Sequence, residues 1–554
     1  MAAGTPSNNA QPKGALVNLK SLLVAVAALA ASYAWTAHNS RFLIRHWKWG
    51  AHAAHPPTMI MAQVISVPLM TLAILACLQA MRHPSRRLLI PLFYALWFAT
   101  ISLSVAPGVF SSDTFYTFHM VSHGWWSGWY SPFHPAFMTA LVQIIPSLSI
   151  APCLALALLW AAVFTSVHRT LFLLDANRWL HFLLPLVLLL PSMLAASIIM
   201  IRDCYVAALF IALLNFVFRA VALRDSRALP SMLLIGVLAG VVGCYRTDML
   251  PSAALAALVI AVMAPVSRWP RLLAVPTTAA TLLLPFAAVI VLVHAIPRPL
   301  GNDWQWGGTW EPRAENEYRL TLIENPLGYI ILQPSAHVRE RDREAIEKVF
   351  KFSDLARYHC ASNLCLFYSE HWRHESTEED RKAAFKAAIH VFKHNPGLFL
   401  QSRLATLAEV GDANLQTSND VELRASRGYP AVELTPMLTS LGQRITHYVT
   451  ETEGRDGRFG GSLVWWNIYL WLVLCLLPLV SVRKTPASAI FAVLITLRSV
   501  FVFLAAPASF TTYYLPSYVG GPMLLLLWAA EFRTATRRKQ NEFRAVEHKA
   551  KAVA

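Results

Sequence analysis

Three aspartates, Asp113, Asp203 and Asp248, stand in short polar segments between apolar ones. A carboxylate held against a substrate hydroxyl can take its proton as that oxygen attacks, so Asp113 and Asp203 are candidate catalytic residues. Asp248 is a candidate substrate-binding residue. Arginines accompany two of the three, because Arg202 directly precedes Asp203 and Arg246 lies two residues before Asp248. Guanidinium groups bind phosphate through paired hydrogen bonds. These residue types therefore predict chemistry on a substrate that carries phosphate.

Arg498 is a further charged position, well inside the apolar run ITLRSVFVFLAAP. A charge in such a run normally faces a cavity or a partner. We interpret it as a diphosphate or phosphate contact, and an ion pair with a neighbouring helix is the structural alternative. The other charged positions also have structural alternatives. Asp113, in Ser-Ser-Asp-Thr, is suited to be the N-cap of a helix. Arg202 and Asp203 are suited to mark the boundary of the membrane between two spans.

The segment around Asp113, GVFSSDTFYTFHMVSHGWWSGWYSPFHP, is rich in histidine and aromatic residues. Aromatic faces stack on sugar rings, so Trp129, Tyr130 and His134 are candidate substrate-binding residues. The alternative for the aromatic residues is a belt at the membrane interface, where Trp and Tyr are enriched. Tyr513, in a loop near the C-terminal end, is a further substrate-binding candidate.

The elements that carry these residues are strongly apolar. Of 554 residues, 56% are hydrophobic and 14% are charged, and the mean hydropathy is +0.45. Soluble domains average about 25% charged residues, so a single soluble core is excluded. A spanning helix needs about 20 mostly apolar residues. We predict an all-α polytopic membrane protein with about twelve spans, placed roughly at residues 15–37, 57–80, 88–107, 150–171, 180–200, 204–222, 229–244, 250–266, 271–296, 462–482, 486–506 and 516–532.

Basic residues follow every even-numbered predicted span. Lys and Arg collect in cytoplasmic loops, so the pattern predicts cytoplasmic N- and C-termini and places the charged turns outside the cytoplasm. The same rule accounts for the net charge of +16, so we expect the lipid bilayer and not nucleic acid as a partner. Residues 132–148 are interpreted as a short helix along the outer surface, because a span there would reverse this orientation.

The predicted organisation has four parts. Residues 1–296 form a transmembrane module whose first outer loop is 108–134, and residues 297–461 form an α-rich or α/β insert outside the cytoplasm. Residues 462–532 hold the last three spans, and residues 533–554 form a basic cytoplasmic tail.

Two local features are expected in the insert. The pattern DRKAAFKAAIHVFKHNPGLFLQSR predicts an amphipathic helix over 380–403 that is broken at Asn395-Pro396. Cys360 and Cys365 are its only cysteines, and we expect them to form a disulfide in an oxidising compartment.

Four motifs together carry a resemblance to a known family: PGVFSSDTFYTF, SPFHPAFMTAL, LLLPSMLAASIIMIRDCYVAALF and CYRTDMLP. They resemble the membrane glycosyltransferases of the GT-C superfamily, in particular bacterial members, over roughly residues 88–300. No Walker A loop, dinucleotide-binding glycine motif, HExxH or GxSxG is present in the sequence.

The resemblance implies a bacterial inner-membrane enzyme that transfers a sugar, with inversion, from a polyprenyl-phosphate donor to a periplasmic glycan, lipid or protein acceptor. It makes Asp113 the first-loop catalytic carboxylate and Asp203 the second acidic residue. Arg202, Arg246 and Arg498 would bind the donor phosphate. We assign no cofactor; a divalent cation is the one candidate, and the first loop lacks the paired carboxylates seen in some members.

Two other functions stay open from the sequence. Polysaccharide polymerases or ligases that use a diphosphate-lipid donor also have about a dozen spans and a large periplasmic loop. A lipid-linked sugar flippase or transporter is the alternative outside catalysis, although such folds often show internal repeats and no clear repeat is visible here.

Overall fold

A computed structural model describes residues 19–46, 56–82, 88–105, 114, 117–118, 120–121, 131, 133–148, 150–223, 229–263, 271–295, 315–357, 359–361, 366, 371–373, 375–410, 438–452, 464–506 and 510–553. These residues form helices joined by short turns, and they contain no strand beyond isolated bridges such as Phe350 with Trp372.

The helices within the described ranges, in chain order, are α1 (Leu19–His46), α2 (Pro56–Arg82), α3 (Leu89–Val105), α4 (Phe133–Ile144), α5 (Ile150–Leu173), α6 (Arg178–Leu186), α7 (Pro191–Ile198), α8 (Arg202–Ala222), α9 (Leu229–Tyr245), α10 (Leu250–Met263), α11 (Arg271–Ala295), α12 (Glu315–Ile331), α13 (Glu340–Glu347), α14 (Phe352–Arg357), α15 (Glu378–His394), α16 (Pro396–Val410), α17 (Thr439–Glu451), α18 (Ile468–Leu476), α19 (Pro486–Ala505) and α20 (Leu515–Val553). Turns of 3-10 helix follow α6 (Val187–Leu189), α9 (Thr247–Met249) and α18 (Leu477–Ser481) and precede α20 (Thr511–Tyr514).

The apolar character of these helices makes the chain an all-α membrane protein. Within the described ranges, five helical segments are long and apolar enough to cross a membrane: Leu22–Ser40, Ile150–Leu173, Arg202–Ala222, Ala274–Ala295 and Pro486–Ala505. The other predicted spans correspond to shorter apolar helices, to a bent pair of helices or to the first part of α20. The number of twelve spans stays a prediction.

The predicted span 180–200 is bent. The segments Arg178–Leu189 and Pro191–Ile198 meet at an angle of 61°. Leu190 at the break has an extended backbone, with φ −63° and ψ 135°. The residue before a proline is pushed away from helical geometry, and here Pro191 imposes this on Leu190. The hydropathy of the sequence does not reveal the break, because the residues on both sides of Pro191 are equally apolar.

Helix α8 is the central helix of the membrane part. In its most apolar stretch 78% of the residues are buried, a larger share than in any other long apolar helix of the described ranges. It packs against α5, α9, α10, α19 and α20. A helix that is apolar on all sides is expected to be surrounded by other helices. The N-terminus of α8, where Arg202 and Asp203 stand, therefore lies among the ends of its neighbours.

Helix α4 corresponds to the predicted surface helix. It has 12 residues, so it is about 18 Å long and shorter than the hydrocarbon layer. Most of its side chains are buried, and it packs against α1, α2 and α5. The buried Gln143 side chain accepts a hydrogen bond from Ser66 of α2, at 3.0 Å. This contact satisfies the side-chain oxygen of Gln143, whereas its Nε2 is buried with no hydrogen-bond partner among the described residues.

The helices α12 to α16, which we call the insert helices, share a hydrophobic core separate from that of the membrane helices. The expected break at Asn395-Pro396 is confirmed, because α15 ends at His394 and α16 begins at Pro396. The predicted apolar side of α15, represented by Ala384 and Ala388, is buried in this core. The insert was predicted to be either α-rich or α/β. Its described residues fit the α-rich prediction, and no β-sheet is present among them.

Candidate functional site

Arg246 joins two of the predicted acidic positions. It directly follows α9 and its side chain is 6% exposed. Its Nη1 forms an ion pair with Oδ1 of Asp203, and its Nε lies 2.7 Å from Oδ1 of Asp248. Two charged turns that are separate in the sequence therefore meet in the structure.

Arg498 reaches the same place from α19. Its side chain is 2% exposed, and its Nη2 lies 3.2 Å from Oδ2 of Asp248. Its Nε contacts the sulfur of Met249 at 3.3 Å. The ion pair that sequence reasoning offered as the structural alternative is thus present, with Asp248 as the partner. The remaining nitrogen, Nη1, is buried and has no hydrogen-bond partner within the described part of the chain.

Asp248 connects the two arginines, because each of its oxygens binds a different one. Burial alone would raise the pKa of this carboxyl, but Arg246, Arg498 and Arg202 outweigh that effect and hold the pKa below its usual range. The aspartate is therefore ionised at neutral pH, and Arg202 lies close enough to act on it electrostatically.

Asp203 stands in the first turn of α8, where the helix dipole stabilises a negative charge. The side chain is 3% exposed, and Oδ1 pairs with Arg246. The second oxygen, Oδ2, is buried without a hydrogen-bond partner among the residues that the structure covers. A buried acceptor that has no partner is rare in proteins and marks a candidate binding position.

Tyr513 completes the surroundings of Arg246. The centre of the guanidinium lies 4.3 Å from the centroid of the Tyr513 ring, which is a cation–π contact. Tyr513 belongs to the 3-10 turn Thr511–Tyr514 between α19 and α20. This predicted substrate-binding residue therefore contacts one of the predicted phosphate-binding arginines.

His134 lies in the first turn of α4, next to the residue that precedes Arg246. It is 2% exposed, and its Nδ1 lies 2.9 Å from the hydroxyl of Tyr245, the residue before Arg246. The rings of Tyr245 and Tyr205 stack beside it with centroids 6.1 Å apart. These contacts fix the end of α9, and so the backbone from which Arg246 projects.

Asp113, Trp129 and Tyr130 lie outside the described residues, but two of their neighbours in the chain do not. The hydroxyl of the buried Thr114 donates to the carbonyl of Met200, at 2.7 Å. The hydroxyl of Ser131 donates to the carbonyl of Cys244. Met200 lies two residues before Arg202, and Cys244 lies two residues before Arg246. Thr114 and Ser131 therefore connect the first outer loop to the two turns that carry these arginines.

Sequence reasoning missed Thr114 and Ser131. Both are small hydroxyl residues next to predicted site residues, and no spacing distinguishes such a residue from an ordinary loop residue. Only their hydrogen bonds to the distant carbonyls of Met200 and Cys244 reveal their role. Met249 was missed for a similar reason, because a thioether beside a charged turn carries no sequence signal.

The helix that carries Arg498 is fixed at its other end by Glu531 of α20. The buried carboxylate of Glu531 accepts hydrogen bonds from the backbone of Ala487 and Ser488, at 3.2 and 2.9 Å, and from the Ser488 hydroxyl at 2.6 Å. These groups belong to the first turn of α19, where backbone amides lack helical partners. Glu531 therefore caps α19 and holds it against α20.

Two of the remaining predictions concern a metal and a disulfide. Within the described ranges, no three His, Cys, Asp or Glu side chains are grouped to hold a metal ion, and both carboxylates of the site are paired with arginine. Cys360 is disulfide-bonded. Cys365 lies outside the described residues, so the predicted pairing stays a prediction.

The comparisons with known proteins give no relative. No family model matches the chain, and no curated protein or solved structure matches it significantly.

Proposed function

We propose that the chain is an integral-membrane glycosyltransferase that moves a sugar from a polyprenyl-phosphate donor to an acceptor outside the cytoplasm. The observation that carries the proposal is the group of Arg202, Arg246, Arg498, Asp203 and Asp248, which we call the arginine cluster; Arg246, Arg498 and Asp203 are buried, and Arg202 and Asp248 are partly exposed. Among the residues that the structure describes, it combines a buried nitrogen of Arg498 and a buried carboxylate oxygen of Asp203 that have no hydrogen-bond partner. The motif resemblance adds to this observation.

The arginine cluster suits a phosphate-bearing donor. Guanidinium groups bind phosphate through paired hydrogen bonds, and the side chains of Arg246 and Arg498 meet at Asp248. A sugar joined to polyprenyl monophosphate is a phosphodiester with a single negative charge, whereas a diphosphate-linked donor carries two. The motif resemblance favours the monophosphate donor, so we place the transferase ahead of the diphosphate-dependent polymerase or ligase.

The proposed reaction is a single displacement. The acceptor hydroxyl oxygen attacks the anomeric carbon opposite the phosphate, and the bond from that carbon to the phosphate oxygen breaks. The hydroxyl proton passes to a carboxylate, for which Asp113 and Asp203 are the candidates. The electron pair of the broken bond stays on the polyprenyl phosphate, whose increased negative charge the arginines stabilise.

The roles of the two candidate bases can be separated by mutation. Purified protein is incubated with polyprenyl-phosphate sugars and acceptor glycans, and the release of polyprenyl phosphate is measured. Asp113→Asn and Asp203→Asn are each compared with the wild type. Loss of a general base lowers the rate by about 100-fold or more, and we expect this loss for at least one of them.

Asp175→Asn is the matched control. Asp175 is 90% exposed and pairs with Arg537 at the surface. Its φ is 51°, a conformation that asparagine tolerates well. The control is expected to keep full activity. Full activity in both site variants would refute the assignment of the base, and lipid movement without any glycosylated product would favour the flippase.

A further inference from the structure

The segment between α19 and α20 connects two parts of the arginine cluster. It begins at Ala506, which ends the helix of Arg498, and it includes Tyr513, whose ring contacts Arg246. The position of this segment therefore decides where the ring lies. Contacts from the insert helices reach the segment near both of its ends.

The first contact is made by Arg403 of α16. This side chain is fully buried, and its Nη1 donates to the carbonyl of Ala506 at 2.7 Å. Burial lowers the pKa of the Arg403 guanidinium to about 10, so the group still carries its charge at neutral pH. A hydrogen bond from a charged donor is stronger than one between neutral groups.

The second contact is made by the C-terminal end of the same helix. The hydroxyl of the buried Thr511 donates to the carbonyl of Val410, at 3.3 Å. Leu407 and Val410 also share a hydrophobic cluster with Tyr513 and Tyr514. Helix α16 thus holds the segment by two hydrogen bonds and by apolar packing.

The same side of α16 is connected to the rest of the insert helices. The second terminal nitrogen of Arg403, Nη2, donates to the hydroxyl of Thr406 at 3.0 Å. The Asn325 side chain of α12 donates to that hydroxyl at 3.2 Å, and its oxygen lies 2.9 Å from Nε2 of His359. A continuous chain of polar contacts therefore runs from the insert core to the end of the Arg498 helix.

We propose that Arg403 is a positioning residue for donor binding: with the rest of α16 it fixes Ala506 and residues 510–514, and through Tyr513 it fixes Arg246. The proposal rests on the proposed function only for the identity of the ligand. It makes α16 the connection through which the insert helices set the affinity of the arginine cluster for a phosphate-bearing lipid.

Arg403→Gln tests the proposal in the purified full-length protein, with two measurements. Hydrogen exchange of backbone amides over 510–518 is expected to become faster, because the segment loses a charged hydrogen bond. Affinity for undecaprenyl phosphate in detergent micelles is expected to fall about tenfold, the scale of one such bond. Thr511→Val removes the second contact. If Arg403→Gln does not fold, the same two measurements are made on Thr511→Val.

Arg343→Gln is the control, because Arg343 is an exposed arginine of the insert whose described partners, Glu347 at 3.1 Å and the Phe352 ring at 5.1 Å, both belong to the insert helices. It should change neither measurement. A double-mutant cycle then separates positioning from general stability. If Arg403 acts through the ring, Arg403→Gln should weaken binding much less in a Tyr513→Leu background than in the wild type.

The outcomes are distinct. Unchanged exchange over 510–518 in both Arg403→Gln and Thr511→Val, or fully additive losses of affinity in the cycle, would overturn the role of Arg403. A wild-type protein that binds no undecaprenyl phosphate would contradict the proposed function. The exchange measurement would still decide whether α16 holds the segment.

Discussion

Asp248 bridges Arg246 and Arg498, so its charge keeps two buried cations together. We predict that Asp248→Asn lowers the free energy of unfolding by about 1–3 kcal/mol, the range for a buried hydrogen bond to a charged group. Inorganic phosphate should restore part of this loss, because an anion can take the place of the missing carboxylate charge. Thermal unfolding in detergent, with and without phosphate, measures both effects.

The same measurement on Asp175→Asn provides the comparison at an exposed ion pair, where an effect below about 1 kcal/mol is expected. Equal stabilisation of wild type and Asp248→Asn by phosphate would show that the arginine cluster does not bind anions through these residues.

Arg246 directly follows α9, so its position depends on the close contact between α9 and α11. Gly236 of α9 faces the backbone of Leu282, and an added Cβ would overlap the Leu282 carbonyl. Gly240, one turn later, faces the side chain of Val289 and the carbonyl of Phe286. Small residues four apart allow membrane helices to approach closely.

We predict that Gly236→Ala separates α9 from α11 and lowers both the thermal midpoint and the affinity for polyprenyl phosphate. A backbone atom cannot move aside as a side chain can, so the helices themselves must shift. Gly397→Ala is the matched control, because a Cβ at Gly397 meets no atom within 4 Å. Wild-type behaviour of Gly236→Ala in both measurements would show that this contact does not set the position of α9.

At the scale of the whole molecule, the sequence predicted the long apolar helices well. The predicted spans 150–171, 204–222 and 486–506 correspond closely to α5, α8 and α19. Continuous apolar runs have few alternatives to helix in a bilayer, because every backbone amide must find a partner within the segment. The bend at Leu190 was not predicted, since hydropathy averages over the proline that causes it.

The site was predictable in its residue types and not in its pairings. Charged residues in apolar surroundings identified Arg202, Asp203, Arg246 and Arg498 as unusual, because an isolated charge there is unfavourable. That Asp248 would bind two arginines at once depends on how α9 and α19 pack. Such long-range packing leaves no periodic pattern in the sequence, and the contribution of Arg403 was hidden for the same reason.

The most direct test of the proposed function is the identity of the lipid product. Purified protein is given an equimolar mixture of polyprenyl-phosphate and polyprenyl-diphosphate sugars with candidate acceptors, and the released lipids are identified by mass spectrometry. The proposed function predicts polyprenyl monophosphate and a glycosylated acceptor. Release of polyprenyl diphosphate alone, or recovery of both donors unchanged with every acceptor, would contradict it.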